Sequence, residues 1–72
     1  MWLRFMDLEE AVERAKEFLT RVAGYAFPRL LSAKLEGSVW VLRFDVGVLV
    51  EKVVVVRVDD RTGRVVGFEE SE

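Results

Sequence analysis

The sequence contains no cysteine, histidine, asparagine, glutamine or isoleucine. Without cysteine there is no disulfide framework, and without cysteine and histidine the usual ligands of zinc, copper and haem are missing. The same two absences remove the commonest general base and the strongest nucleophile at neutral pH. We therefore expect no cofactor, no metal ion and no catalytic residue in this protein.

An excess of positive charge and a long apolar run are also missing. The chain has 11 basic and 13 acidic residues, a net charge of −2, and thus no general attraction for nucleic acid or anionic membranes. The opening MWLRFM is interrupted too soon by Asp7 to be a signal-peptide apolar region. Glu51 and Lys52 interrupt the longest valine-rich run, which makes it a poor membrane span. These features predict a cytoplasmic protein.

What the chain does contain is apolar and rich in valine. Its 72 residues suit one small domain, and 51% of them are hydrophobic, which favours a folded chain. A domain this short has a thin core, so we expect added stability from packing or from association. Fourteen valines and the lack of heat-labile amides lead us to the hypothesis of a thermophilic source.

The first half of the chain predicts one amphipathic helix over about residues 8–23. Asp7 and Glu10 have capping-box spacing, with Asp7 as the N-cap. Gly24 is well placed to end the helix in the left-handed conformation. One apolar stripe recurs at spacings of three and four residues, and it comprises Leu8, Ala11, Val12, Ala15, Phe18, Leu19, Val22 and Ala23.

The second half predicts strands over about residues 29–36, 39–46, 48–59 and 64–69. Gly37 and Ser38 suit a tight hairpin turn between the first two strands, and Gly47 suits a bulge or turn. We therefore predict a single α+β domain over residues 1–72, in which one N-terminal helix packs on a three- or four-stranded antiparallel sheet.

The stretch Val56 to Val65 reads VRVDDRTGRV and predicts the turn of a closing hairpin. Asp59, Asp60 and Thr62 can bond the local backbone, and Gly63 can take a positive φ. A calcium loop is the alternative, but the regular ligand ladder and its distal glutamate are missing, and two arginines would repel a cation. The residues favour the hairpin.

This hairpin resembles the closing hairpin of PepSY-type domains, in which a V-x-V-D-x-x-T-G-x-V pattern follows a helix bearing alanines and a strand bearing an aromatic. Here Ala11 and Ala15 correspond to the alanines, and Trp40-Val41 to the aromatic strand. The resemblance spans most of residues 8–66. It implies a helix-plus-sheet fold and a non-catalytic module of the kind associated with proteases. The residues depart from that family's setting, because they predict no signal peptide, protease domain or transmembrane segment.

The four consecutive valines Val53 to Val56 predict a strand that is apolar on both faces. One helix can cover one face, where we place Trp40, Leu42, Phe44 and alternate residues of the other strands, including Leu31 and Leu35. The opposite face is the predicted protein interface, and it contains Val39, Val41, Arg43, Val53, Val55, Arg57 and Val65. Fully burying one valine contributes about 1.5–3 kcal/mol, so the valine cluster can support an interface.

Three uses of this sheet remain open at the level of sequence. The first is a homodimer, or a complex with another protein, formed through the outer face or through an exposed strand edge. The second is an ordinary solvated surface. The third is nucleic-acid binding through Lys34, Arg43 and Arg57, which the sequence disfavours because the large aromatics are predicted on the other face. Trp2, Tyr25 and Phe27 are further candidates for interface anchors or core residues. We expect a non-catalytic interaction or self-assembly module.

Overall fold

The computed structural model describes residues 6–70, in which one helix packs against one face of a four-stranded antiparallel sheet. The elements follow in the order α1 (Leu8–Arg21), β1 (Arg29–Glu36), β2 (Val39–Asp45), β3 (Val53–Asp59) and β4 (Val65–Glu70). Strands that are neighbours in the chain are neighbours in the sheet, so the sheet is a meander. The predicted α+β fold is confirmed, with four strands. Trp2, a candidate interface anchor, lies outside the described residues.

The helix begins where its cap predicts. Asp7 Oδ1 accepts the backbone N–H of Glu10 at 2.9 Å, which satisfies one of the free donors of the first turn. The helix ends at Arg21 rather than at residue 23, and Gly24 then takes a φ of 85°. Ala11, Ala15 and Leu19 are fully buried, and the two alanines let the helix axis lie close to the sheet.

The core lies between the helix and the middle of the sheet. Phe18 of α1 meets Phe68 of β4 with ring centroids 5.4 Å apart. The fully buried strand residues all come from the two central strands, and they are Leu42, Phe44, Val54, Val56 and Val58. Their alternation along β2 and β3 is the pattern of a sheet that buries one face against a helix.

Two bulges change which side chains share a face. One lies between Leu30 and Ser32, so that Leu30 is opposite Phe44 and occupies the helix-facing position that the sequence assigns to Leu31. The other places Val65 opposite Val58, where it packs against the core. Val65 therefore does not belong to the outer face on which the sequence places it, because the extra residue in β4 reverses the alternation.

The connection between β2 and β3 is a loop where the sequence predicts strand. β2 ends at Asp45 and β3 begins at Val53 rather than at Val48. Asp45 Oδ1 accepts the backbone N–H groups of Gly47 and Lys52, at 3.0 and 3.1 Å, and so joins the two ends of the loop. Valine propensity for strands is overridden here by this local hydrogen bonding.

The helix does not cover the whole sheet. It packs on β2, β3 and β4, while β1 has only one half-buried residue, Ala33. Four strands span about 14 Å between the outermost strands, whereas a helix with its side chains is about 10 Å across. An edge strand therefore extends beyond the helix, and in this chain that strand is β1.

Candidate protein interface

The predicted outer face exists, but its valines are only half exposed. Val39, Val41, Val53 and Val55 lie on the side of the sheet away from the helix, and each is half-buried. Val55 has Arg43 directly opposite on β2 and Glu69 directly opposite on β4. Longer charged side chains thus surround the valines, which makes this face a mixed surface rather than a continuous apolar patch.

Two of the three basic residues considered for nucleic-acid binding are accompanied by acids. Lys34 Nζ lies 3.4 Å from Glu36 Oε2, and Arg57 Nη1 lies 3.3 Å from Glu69 Oε1. The stem of Arg57 crosses Gly67, where an added Cβ would lie 3.3 Å from the Arg57 Cδ. Each pair offsets positive charge that a nucleic-acid phosphate would otherwise meet, so the geometry adds no support to nucleic-acid binding.

Three leucines of the edge strand β1 are exposed as well. Leu30, Leu31 and Leu35 are 36%, 43% and 47% exposed, on a strand that has β2 as its one neighbour among the described residues 6–70. Leu30 also lines an open groove between β1 and α1, together with Leu8 and Val12 of the helix. We call the exposed strand Arg29–Glu36 with these leucines the β1 edge.

The hydrogen-bond ladder shows which backbone groups of the β1 edge are free. At the ends of the β2–β3 pairing, Asp60 donates to Ser38 O and Val46 donates to Lys52 O, each at 2.8 Å. Even-numbered residues of β2 therefore bond β3, and odd-numbered residues bond β1. These odd-numbered residues face Ser32, Lys34 and Glu36.

The other residues of the regular part of β1 point their backbone groups outward. Ala33 and Leu35 alternate with the residues bonded to β2, so their N–H and C=O groups face the free edge. A short two-residue turn, with Gly37 at a φ of 63°, holds the strand in this register. Within the part of the chain that the structure describes, the β1 edge thus combines unpaired backbone groups with exposed leucines, which is the arrangement that accepts a further strand.

The opposite edge strand, β4, exposes Val66 at 58%, but it is irregular and ends in acids. β4 carries a bulge, and its end residues Glu69 and Glu70 are exposed acids. Bulges and edge charges discourage pairing with another chain. In β1 the bulge lies near the start of the strand, so the segment from Ser32 to Glu36 stays regular.

A second exposed apolar group lies at one end of the sheet. Val48, Leu49 and Val50 at the tip of the β2–β3 loop are 87%, 96% and 76% exposed, and Phe27 is 84% exposed. Asp45, which accepts hydrogen bonds from both ends of this loop, also accepts one from Arg29 Nη2 at 2.8 Å. The N–H groups that bond Asp45, followed by the nearby guanidinium, hold the pKa of this carboxyl below its ordinary value.

Tyr25 has a structural role in the same region. Its ring packs against the core, and its hydroxyl donates a hydrogen bond to a carboxylate oxygen of Glu70. Lys52 Nζ lies 3.6 Å from the other oxygen of that carboxylate and 5.6 Å from the centre of the tyrosine ring. The tyrosine, followed by the lysine, lowers the pKa of Glu70. Of the predicted interface anchors, Tyr25 therefore packs within the fold, whereas the side chain of Phe27 is exposed.

The two acids of the closing hairpin have different partners, and only Asp59 bonds the local backbone as the sequence predicts. Asp59 Oδ1 accepts the N–H groups of Arg61 and Thr62 at 2.7 and 3.1 Å, which lower the pKa of this carboxyl. Asp60 is 6% exposed, and its Oδ1 accepts Trp40 Nε1 at 2.9 Å. Gly63 takes a φ of 75°. The hairpin prediction is confirmed. Within residues 6–70, no group of three acidic side chains is arranged to hold a metal ion.

The sequence left a strand edge open as an interface but did not identify β1 as that edge, because it took the helix to cover Leu31 and Leu35. Leu35 does lie on the helix side, opposite Trp40, but the helix does not cover it, and Leu31 is the extra residue of the bulge. The available signal was geometric: a four-stranded meander is wider than one helix, and its first strand is necessarily an edge. The exposed loop tip was missed because Val48 to Val50 have the composition of a strand.

No protein-family model, curated protein or solved structure matches this chain. A membrane-crossing helix is likewise not found between residues 6 and 70, where the one helix is too short for such a span.

Proposed function

We propose that this chain is a non-catalytic protein-interaction module that self-associates as a homodimer through the β1 edge. The observation that carries the proposal is the presence, on a single edge strand, of outward-facing backbone groups at Ala33 and Leu35 beside three exposed leucines. Strand addition uses the backbone for affinity and the alternate side chains for specificity. The β1 edge supplies both.

The apolar contribution of the β1 edge is of the size that a reversible dimer requires. Leu30 and Leu35 are 36% and 47% exposed, so completing their burial in both copies contributes about 2.5–5 kcal/mol, taking 1.5–3 kcal/mol for a full leucine. Edge hydrogen bonds contribute about 0.5–1.5 kcal/mol each. Association itself costs about 4–15 kcal/mol. The near balance of these values predicts a dimer whose population depends on concentration.

The outer valine face is the alternative surface for the same function. Val39, Val41, Val53 and Val55 keep their places on it, with Arg43 and Arg57 beside them. Each of these valines is less exposed than any leucine of the β1 edge. We therefore place the interface at the edge and use the face as the comparison in the test.

The absence of cysteine and histidine supports a non-catalytic role, because it removes the commonest catalytic side chains. The PepSY-like identity of the closing hairpin stays a prediction. It agrees with this proposal in that PepSY-type domains are typically non-catalytic modules. A cytoplasmic location and a thermophilic source complete the proposal, the first supported by the lack of cysteine and the second by the lack of asparagine and glutamine.

The test is the solution mass, measured by sedimentation equilibrium over a wide concentration range for the native chain and two variants. Ala33→Pro removes an N–H that faces the free edge, so the monomer loses no bond to β2. Val55→Glu places a charge in the middle of the outer face without changing the edge. Far-UV circular dichroism checks that each variant is folded.

We expect a concentration-dependent dimer for the native chain, the same dimer for Val55→Glu, and a monomer for Ala33→Pro. A dimer that Val55→Glu splits and Ala33→Pro leaves intact would move the interface to the outer face. A native chain that stays monomeric at every concentration would reject the homodimer.

A further inference from the structure

The geometry of β1 assigns a specific register to this dimer: we propose that two β1 strands pair antiparallel about a two-fold axis at Ala33, which joins two sheets into one of eight strands. This inference rests on the proposed self-association and adds the pairing of individual residues. It follows from three constraints on β1, namely the face of each side chain, the direction of each backbone group, and the charge at each position.

The first constraint is that directly opposite residues share a face of the sheet. In the regular part of β1, Ala33 and Leu35 face the helix side, while Ser32, Lys34 and Glu36 face the outer side. A two-fold axis between two residues would set helix-side positions against outer positions. The axis must therefore pass through a residue.

The bulge extends this pattern to the start of the strand. Leu30 lies on the helix side opposite Phe44, and Arg29 lies on the outer side opposite Asp45, with Leu31 as the extra residue between the two regular parts. A second strand that pairs with β1 and keeps side chains of the same face opposite each other skips the extra residue, so its successive residues lie opposite Ser32 and then Leu30. Because of the bulge, side chains at the start of one β1 strand lie on the same face as those opposite them at the end of the second copy's β1 strand.

An axis at Ala33 pairs the whole strand. Leu30 is then opposite Leu35 of the second copy on the helix side, and Arg29 is opposite Glu36 of the second copy on the outer side. Both pairs occur twice because of the symmetry. Ala33 is opposite itself, and its outward N–H and C=O groups make two hydrogen bonds across the axis. Ser32 opposite Lys34 introduces no charge conflict.

The other axes lose contacts or oppose like charges. An axis at Lys34 sets two lysines directly opposite each other, which is destabilising. An axis at Leu35 ends the overlap at Gly37 and leaves Leu30 unpaired. An axis at Glu36 opposes two glutamates beside the turn, and one at Ser32 falls against the bulge. Only the axis at Ala33 buries Leu30 against Leu35 and also pairs Arg29 with Glu36.

The side chains at the ends of β1 are available for this pairing. The side chain of Arg29 is 73% exposed while it bonds Asp45 through one nitrogen, which leaves further donors of the guanidinium fork accessible. The side chain of Glu36 is 57% exposed beside Lys34. Each can therefore meet its counterpart without losing its contact within the chain.

Single-cysteine variants locate the axis directly, because the native chain contains no cysteine. Residues that pair with themselves in a hydrogen-bonded position have Cα atoms about 5.5 Å apart, within the range of a disulfide. We would oxidise Ala33→Cys, Lys34→Cys and Leu35→Cys separately under mild conditions and measure covalent dimer on a denaturing gel. The mass of the native chain, measured in parallel, tests the proposed function independently.

We expect covalent dimer from Ala33→Cys and only background from the other two variants, whose copies of the thiol lie too far apart in this register. Covalent dimer from Lys34→Cys or Leu35→Cys instead would overturn the proposed axis. A native dimer from which no variant forms covalent dimer would likewise overturn the axis at Ala33. A native monomer would remove the proposed function and the register together.

A charge variant gives a second readout that requires no cysteine. Glu36→Arg places an arginine directly opposite Arg29 of the second copy at both ends of the paired strands. We expect this repulsion to raise the dimer dissociation constant about fivefold or more. The matched control is Glu69→Arg, an acid of the opposite edge, which we expect to leave that constant unchanged. Equal dissociation constants for the native chain and Glu36→Arg would contradict the register.

Discussion

The hydrogen bond between Trp40 and Asp60 fastens the closing hairpin to the first one, and Trp40→Phe removes it. Trp40 Nε1 donates to Asp60 Oδ1 at 2.9 Å and lies 3.3 Å from the carbonyl oxygen of Met6. Asp60 is 6% exposed, so water has little access to the carboxylate once the indole donor is absent. We expect the variant to be less stable for this reason rather than for lost packing alone.

The expected loss is large for so small a domain. A hydrogen bond to a charged group contributes about 1.5–3 kcal/mol. The whole free energy of unfolding of 72 residues is about 4–11 kcal/mol at the usual stability per residue. A loss of about 2 kcal/mol lowers the unfolding midpoint by about 8–16 °C in a domain of this size.

A double-mutant cycle separates the hydrogen bond from the packing of the ring. Urea unfolding of the native chain, Trp40→Phe, Asp60→Ala and the double variant, all at one protein concentration, gives the coupling free energy. We expect about 1.5–3 kcal/mol for this pair. Arg57 and Glu69 form an exposed ion pair that serves as a control, with an expected coupling of about 0.2–1 kcal/mol. Coupling below about 0.5 kcal/mol between Trp40 and Asp60 would mean that the two sites act independently and would refute the reasoning.

Three further predictions concern the loop and the whole fold. Because the folded-state pKa of Asp45 is lowered, its contribution to stability is present above the ordinary value of 3.8 and is lost as the pH falls through the lower folded value. Acid titrations of unfolding should therefore show a shallower loss below pH 3.8 for Asp45→Asn than for the native chain, and identical acid profiles would contradict the role of this carboxylate. Gly47→Ala should destabilise the loop, because the added Cβ would overlap the carbonyl oxygen of Val50; an unchanged unfolding midpoint with unchanged amide chemical shifts would show that the loop adapts freely. The native chain should unfold above about 65 °C by calorimetry if its source is thermophilic, and a reversible transition below that temperature would reject the hypothesis.

The elements that the sequence predicted well are those with local signals. Asp7 and Glu10 mark the helix start through a cap whose two partners are three residues apart. The turn at Gly37 and Ser38 sets the first hairpin, and β1 has the predicted bounds Arg29–Glu36. These signals depend on neighbours in the chain, which a sequence displays directly.

The features that the sequence could not supply depend on contacts between distant residues or on one extra residue in a strand. The valines after Gly47 have strand composition, yet Asp45 bonds the backbone of Lys52 and turns the segment into a loop. An unpredicted bulge moves Val65 from the outer face to the core side, because a one-residue shift reverses the alternation. The sequence left the choice between the outer face and a strand edge open for a related reason, since the position of the helix across the sheet is not encoded in the pattern of either element.

Amide hydrogen exchange along β1, followed by NMR at several protein concentrations, tests the central claim most directly. In the monomer the N–H groups of Ala33 and Leu35 face the free edge, whereas those of Ser32 and Lys34 bond β2. We predict fast exchange at Ala33 and Leu35 in dilute solution, with protection that rises toward that of Lys34 as the dimer forms. If these two amides still exchange freely at concentrations where the chain is dimeric, the dimer does not form through the β1 edge.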